Sequence, residues 1–277
     1  MSSGFFGFFA HAGFLQALAD LGVAPDAYAG SSSGALVAAL AAAGQTPAQM
    51  LEGFRRLRKQ DFWDPPRPAG LLAAALRGWR GHSGYLRGEA FERIMAERLA
   101  QGSGARTFAD CARPCLMAAL DLESGRRVVL KEGDLALAVR ASGAVPMLFA
   151  AVELGGRLLV DGGLVDKAPL AAAVEHLGAR TLVVHVLTSA SLLNPVRQTL
   201  AKPLAPLRLQ LRAVAAARWQ HYLDQAETLR RAGVTVVEAR AGDLPRLGPD
   251  RLGQGAGVFE LARRRSLRSL RESPPSA

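Results

Sequence analysis

The stretch "DAYAGSSSGALVAALAAAG" (residues 26–44) decides how the rest of the chain is read. Residues 26–30 have the make-up of a short strand, and residues 35–44 that of a tightly packing helix stopped by Gly44. Between them, "GSSSG" (30–34) has no room to behave as a flexible linker. In a strand–turn–helix setting it is a G-x-S-x-G motif centred on Ser32 and framed by Gly30 and Gly34. A sharp turn of this kind lifts the serine Oγ above the sheet, and the glycines let the backbone pass closely without a Cβ clash. The free N–H groups of the following helix point at the spot where an oxyanion would form. The competing reading is a capped turn with incidental serines, and the motif alone leaves the two level.

Outward from this corner, strands alternate with helices. Residues 8–20 put Phe8, Ala12, Leu15 and Leu18 on one helical face, ended by Gly22. Thr46 caps a helix with Pro47 at its first position, running to about Lys59. Residues 61–107 read as a cover of loops and short helices, with a clear amphipathic helix at 89–101. Segments 115–122 and 126–133 flank "ESG" as a hairpin, and 135–142 is helical. Strands at 151–154 and 157–160 enclose a Gly-Gly turn, a helix follows at 168–178, and "RTLVVHVL" (180–187) is a strand of the buried parallel type. Basic helices fill 193–232, a late strand covers 234–240, and a basic amphipathic helix precedes a disordered "SPPSA". This order predicts an α/β fold, three layers around a mostly parallel central sheet. It predicts a single domain over 1–277: a core at about 4–190 plus 230–240, a helical cover at about 60–107, and a basic helical part at about 193–272.

Composition narrows the classes less than its charge suggests. The hydrophobic share of 49% and charged share of 21% suit a packed core. The net charge of +10 invites nucleic acid or an anionic membrane, but the excess is mostly arginine in an Ala/Gly/Leu-rich chain, a composition that GC-rich coding also produces. No nucleic-acid module accompanies it, so such a partner is not expected. No apolar run reaches membrane-spanning length. The N-terminal "FFGFFAHAGFLQALAD" lacks the cationic start of a signal peptide, and the expected location is cytoplasmic, with peripheral membrane contact as its variant. Cys111 and Cys115 have no second cluster to complete a zinc site and read as buried thiols in a reduced compartment, so no metal or cofactor is expected.

A serine nucleophile needs a base. Asp161 closes a strand at "VDGG" (160–163), a bend that projects a carboxylate from a sheet edge, although such turns are more often structural. A triad would need a histidine after the acid, and His176, His185 and His221 follow it. They lie near a helix end, inside an apolar strand and on a basic helix, settings that favour structural roles; His11, on a packed helix, reads the same way.

Four blocks, "AHAGFLQAL" (10–18), "GSSSGALVAAL" (30–40), "VRASGAVPMLF" (139–149) and "LLVDGGLVDKAP" (158–169), stand in the order of the patatin-like phospholipase family, which the chain resembles over most of its first 190 residues. The resemblance implies a patatin-type α/β/α fold and hydrolysis of lipid acyl esters by a Ser–Asp dyad. Ser32 is then the nucleophile and Asp161 the general base, with Gly162 and Gly163 as motif glycines. The rivals are a catalytically silent lipid- or protein-binding relative and a Ser-His-Asp triad esterase.

The chain departs from the family in two places. The family's glycine-rich oxyanion loop appears as "SGFFGFF" (3–9), so Gly4, Phe5, Phe6 and Gly7 are provisional donors. The apolar first strand that leads into that loop is missing, which implies either a misassigned or trimmed start or a gap in the sheet beside it. Pro146 should shape a turn beneath the dyad, and the Lys167 side chain is expected to reach solvent. For lipid contact, Val258, Phe259, Ala262 and Leu270 oppose arginines on the C-terminal helix, and Trp219 and Tyr222 mark a second candidate at 206–223. Burial of both apolar faces on the sheet is expected ahead of peripheral contact with an anionic membrane.

Overall fold

The computed structural model describes residues 1–67, 69–70, 75–102 and 104–272. Residues 71–74 of the expected cover and the expected disorder of 273–277 lie outside the described residues.

Short apolar strands rich in Val, Ala and Leu form the centre. Strand β1 (Tyr28–Ser31) pairs in parallel with β3 (Cys115–Asp121), Tyr28 opposite Cys115 and Ser31 opposite Ala118. On the other edge of β3, β4 (Arg127–Leu130) closes the expected antiparallel hairpin. β7 (Arg157–Asp161) pairs antiparallel with β3, Ala119 opposite Asp161, and carries β6 (Val152–Leu154) outside it. Because β4 occupies one edge of β3 over Met117–Leu120, β1 and β7 must share the other, end to end. Their C-terminal residues therefore meet, Ser31 and Asp161 facing consecutive alanines. Gly162, just past the meeting point, has no space for a Cβ, which would overlap the carbonyl of Ala118.

A second parallel pair, β8 (Thr181–Val186) with β9 (Thr235–Arg240), stands on the far side of β1. Residues 1–3 join the two. Met1 donates its amine to the Ala29 carbonyl (2.7 Å) and accepts from Ser31 N–H (3.3 Å), the parallel pattern. Ser2 N–H donates to the His185 carbonyl (3.1 Å), and its Oγ accepts from Leu187 N–H (2.9 Å). At the end nearest the loop the two strands are thus bridged, Met1 bonding to β1 and Ser2 to β8. A cavity lined by Met1, Tyr28 and Leu182 lies beside β1 and β8.

Alternation along β8 separates the helical layers. Leu182, Val184 and Val186 pack with Leu170 and Ala173 of one helix (α7, Leu170–Leu177) and with Tyr222 and Ala226 of another (α10, Ala205–Arg231). Val183 and Leu187 face the larger core of α1 (Phe8–Asp20), α2 (Ser33–Ala42) and the C-terminal helix α11 (Gly255–Glu272). Helices on both faces of a sheet make the three-layer α/β architecture. The helix α2 is buried all round from Gly34 to Ala42, which its run of small residues permits.

The cover contains α3 (Pro47–Arg56), held by a capping box between Thr46 and Gln49, then α4 (Lys59–Phe62) and α5 (Glu89–Gly102). Arg140, on α6 (Leu135–Ser142), fastens the cover by bonds to Glu92 (2.8 Å) and the Arg87 carbonyl (2.9 Å). One pairing departs from the expected loops and short helices: β2 (Gly84–Leu86) runs parallel to β5 (Met147–Phe149). Each has only three residues, too few to show a period of two. Cys111 and Cys115 are free thiols; Cys115 is buried, Cys111 only half-buried.

Candidate active site

Ser32 occupies the turn between β1 and α2 with φ 56° and ψ −121°, outside the regions a side chain ordinarily adopts. Three contacts hold this conformation. Its N–H donates to Ser142 Oγ (3.0 Å), the hydroxyl of Ser31 donates to the Asp166 carbonyl (2.7 Å), and Gly30 packs so closely on Gly34 that a Cβ would enter the Gly34 carbonyl. Gly34 in turn lies against the Met1 and Ser2 carbonyls, at 2.5 and 2.7 Å from where its Cβ would stand. Both framing glycines are therefore required by close approach, not by a positive φ.

Asp161 is 5% exposed. Its Oδ1 accepts from Gly163 N–H (2.7 Å), its own N–H donates to the Ala144 carbonyl (2.9 Å), and it lines the same cavity as Ser32. Burial raises its pKa, and the Ser32 hydroxyl, the Arg218 charge and the Gly163 amide pull it back. The structure thus places Ser32, Asp161, Gly162 and Gly163 together. The block around Pro146 lies against them through Ser142 and Ala144, with Gly143 and Val145 lining the cavity at Ser32.

The loop ahead of α1 borders the same point. Gly4, Phe5 and Phe6 line both cavities that meet at Ser32. The Gly7 N–H closes a turn onto the Gly4 carbonyl (2.9 Å), while the amides of Gly4, Phe5 and Phe6 have no hydrogen-bond partner among the described residues. Phe6 has φ 52° and packs on Phe8 and Phe62. One cavity is apolar, walled by Phe8, Leu36, Phe54, Phe62, Met95 and Phe149. The other is mixed, with Asp161, Arg218, Thr188 and Ser191 among its lining.

Neither cavity is lined by a histidine. His176 and His221 are exposed, beside Lys131 and Gln225 respectively. His185 and His11 are fully buried, their Nδ1 atoms 2.8 Å apart, and His185 stacks on Phe14. His11 Nε2 lies 2.8 Å from the Ser2 carbonyl and must be its donor. In the neutral pair, His11 Nδ1 is therefore the acceptor and His185 Nδ1–H the donor.

Two residues near the dyad were not singled out by pattern. Arg218 of α10 donates to Ser3 Oγ (2.6 Å), and its Nε is buried without a partner. Ser3 Oγ and Asp161 Oδ1 both lie within 3 Å of the point a Cβ on Gly163 would occupy, so guanidinium, hydroxyl and carboxylate form one cluster. Asp166, 2% exposed, pairs with Arg127 (3.0 Å) and braces the turn after β7. No local spacing marks Arg218 among the neighbouring arginines, because only the packing of α10 brings it in. Lys167 corrects an expectation. It is 1% exposed, its carbonyl accepts from Ser3 N–H (2.7 Å), and its amine lies 5.7 Å from the Trp219 ring centroid. The covering helix denies it solvent, and burial, helped by the Arg218 charge, lowers its pKa to about 7.

Comparison with known proteins identifies the family. Residues 1–174 match the family model described as patatin-like phospholipase. An uncharacterized NTE family protein of Mycobacterium tuberculosis is 32% identical over 163 residues, which cover 59% of this chain and 41% of the relative. YqhO of Bacillus subtilis is 28% identical over 178 residues, covering 57% of this chain and 60% of that protein. The chain thus spans less than two thirds of the length of these relatives. Among solved structures, VipD from Legionella pneumophila aligns with a TM-score of 0.50 and 13% identity, over 98% of this chain and 66% of its own.

Proposed function

Because the chain belongs to the patatin-like phospholipase family, we propose that it is a lipid acyl hydrolase working through Ser32 and Asp161. The observation that carries this reading is the head-to-head meeting of β1 and β7 on β3. It sets a conformationally constrained serine beside a buried carboxylate, at the junction of an apolar and a mixed cavity.

The chemistry follows from these parts. Asp161, its basicity raised by burial, takes the Ser32 proton as Oγ attacks the ester carbonyl. The developing oxyanion faces the unpaired amides of Gly4, Phe5 and Phe6 and the N-terminus of α2. Protonated Asp161 returns the proton to the leaving alcohol, then activates water against the acyl-serine. Gly7, whose amide is engaged within the loop, shapes it instead of donating. The apolar cavity suits the acyl chain and the mixed cavity the leaving group. We assign phospholipids, lysophospholipids or neutral-lipid esters as the substrate class.

Fluorophosphonate labelling of the folded protein should modify Ser32, and Ser32→Ala should abolish both labelling and turnover of a lipid-ester panel. His176→Ala and His221→Ala should leave turnover intact. An inactive but folded histidine variant would replace the dyad with a triad. Absence of labelling in folded protein would favour a lipid-binding relative without turnover, a reading that the aromatic Phe5–Phe6 loop motivates.

A further inference from the structure

Of the two helix segments marked in the sequence for lipid contact, the C-terminal one has its apolar face covered: Val258, Phe259, Ala262 and Leu270 are buried in the core with α1. In the other, at 206–223, Tyr222 is 1% exposed and Trp219 half-buried, but Leu207 and Leu211 at its start are exposed and continue an open apolar surface from upstream. On α8 (Ala190–Leu193), α9 (Val196–Leu200) and the first two turns of α10, the side chains of Leu193, Val196, Leu200, Leu204, Leu207 and Leu211 are all exposed, Leu204 by 70%. Arg212 ties this segment together by donating to the Asn194 carbonyl (2.7 Å) and the Ser191 carbonyl. Exposed apolar groups concentrated in 19 residues form a patch, not the scattered pattern of an ordinary surface.

Two further observations identify what the patch meets. Residues 190–223 contain Arg197, Lys202, Arg208, Arg212 and Arg218 and no Asp or Glu. A second copy of the chain would bring these like charges together, whereas an anionic surface complements them. The patch is also continuous with the site: Leu193 and Leu211 line the mixed cavity that holds Ser32 and Asp161, as does Phe5, itself 61% exposed. We propose that residues 193–211 dock on an anionic lipid surface, leucines inserted and Arg197, Lys202 and Arg208 at the headgroups, with the cavity mouth facing the lipid. The use of this contact rests on the hydrolase reading; the contact itself does not.

The full chain should cosediment with vesicles of phosphatidylcholine and phosphatidylglycerol more strongly than with phosphatidylcholine alone, and less as salt is raised. Leu200→Asp with Leu204→Asp, at exposed positions outside the cavity, should weaken binding at least tenfold. Arg197→Glu or Lys202→Glu should each weaken it about fivefold or more. Turnover of a soluble short-chain ester should be unchanged in all of these variants. Wild-type protein that ignores anionic vesicles overturns the proposal, as does equal binding by the double variant. So does a dimer that the double variant dissociates without any vesicle binding. Vesicle binding without ester turnover would sink the hydrolase reading and leave the docking surface standing; turnover without binding would do the reverse.

Discussion

Ser32 and Asp161 reach the same point of β3 from opposite directions and are held there by different forces. Ser32 is fixed by backbone sterics: a positive φ, two glycines in van der Waals contact, and an N–H bonded to Ser142. Asp161 has a negative φ of −45° and is fixed by burial and charge, with Gly163 and the Arg218–Ser3 cluster around its carboxylate. The difference separates function from stability in opposite ways. Losing the serine hydroxyl should barely disturb the turn, while losing its neighbouring glycines should wreck it. Losing the aspartate charge should relieve the fold while ending the chemistry.

The largest expected effect is on turnover. Ser32→Ala and Asp161→Asn should each lower kcat by about 10⁴-fold or more. They should differ in stability. The folded pKa of Asp161 is raised, so the folded state binds more protons than the unfolded one above pH 3.8, and its stability falls as pH rises through that window. Asp161→Asn should therefore melt higher than wild type at neutral pH, with the difference closing towards acid, while Ser32→Ala shows no such crossover in thermal melts. An equal pH response in both variants would break the comparison. Gly30→Ala comes next, forcing a methyl into the Gly34 carbonyl and costing about 3 kcal/mol or more in denaturant unfolding.

Two milder variants sharpen it. Arg218→Gln removes a charge that lowers the Asp161 pKa, so the acidic limb of kcat/KM should move to higher pH with little loss at alkaline pH. A uniform loss across pH would make Arg218 structural only. Ser142→Ala leaves the Ser32 N–H without its acceptor; about 1–3 kcal/mol of stability and roughly tenfold in kcat should go, with the pH profile unmoved.

Much of this was legible because local pattern and tertiary role coincided. In "GSSSGALVAAL" the turn residues, the small-residue helix and the candidate nucleophile are contiguous, and the blocks at 139–149 and 158–169 supplied the candidate partner. What was not legible depends on packing between distant segments. Lys167 is buried because α10 lies across it, and Arg218 is near Asp161 for the same reason. The short β2–β5 pairing leaves no period in three residues. Residues 258–270 and 193–211 look alike as basic amphipathic sequence, yet α1 covers one apolar face and nothing among the described residues covers the other. Periodicity reports that a face exists; its neighbour is written elsewhere in the chain.

The buried imidazole pair and Asp161 give the molecule two separable responses to acid. Burial pushes the pKa of both His11 and His185 below that of a free imidazole, helped at His11 by the His185 charge and at His185 by the N-terminal amine. Their contribution to stability is complete above pH 6.5 and is withdrawn as pH falls below it, because the unfolded chain takes up protons that the folded chain refuses. One of the paired rings belongs to α1, which continues directly from the loop proposed to hold the oxyanion; the other belongs to β8, which anchors Ser2. Acid should therefore loosen the seam between loop and sheet, slowly and with a change in near-ultraviolet circular dichroism. Protonation of Asp161 should switch turnover off at once, reversibly and without such a change. A pH jump followed by return to neutrality would resolve a prompt recovery from a lagging one, giving this patatin-like fold a memory of how long it was acidified.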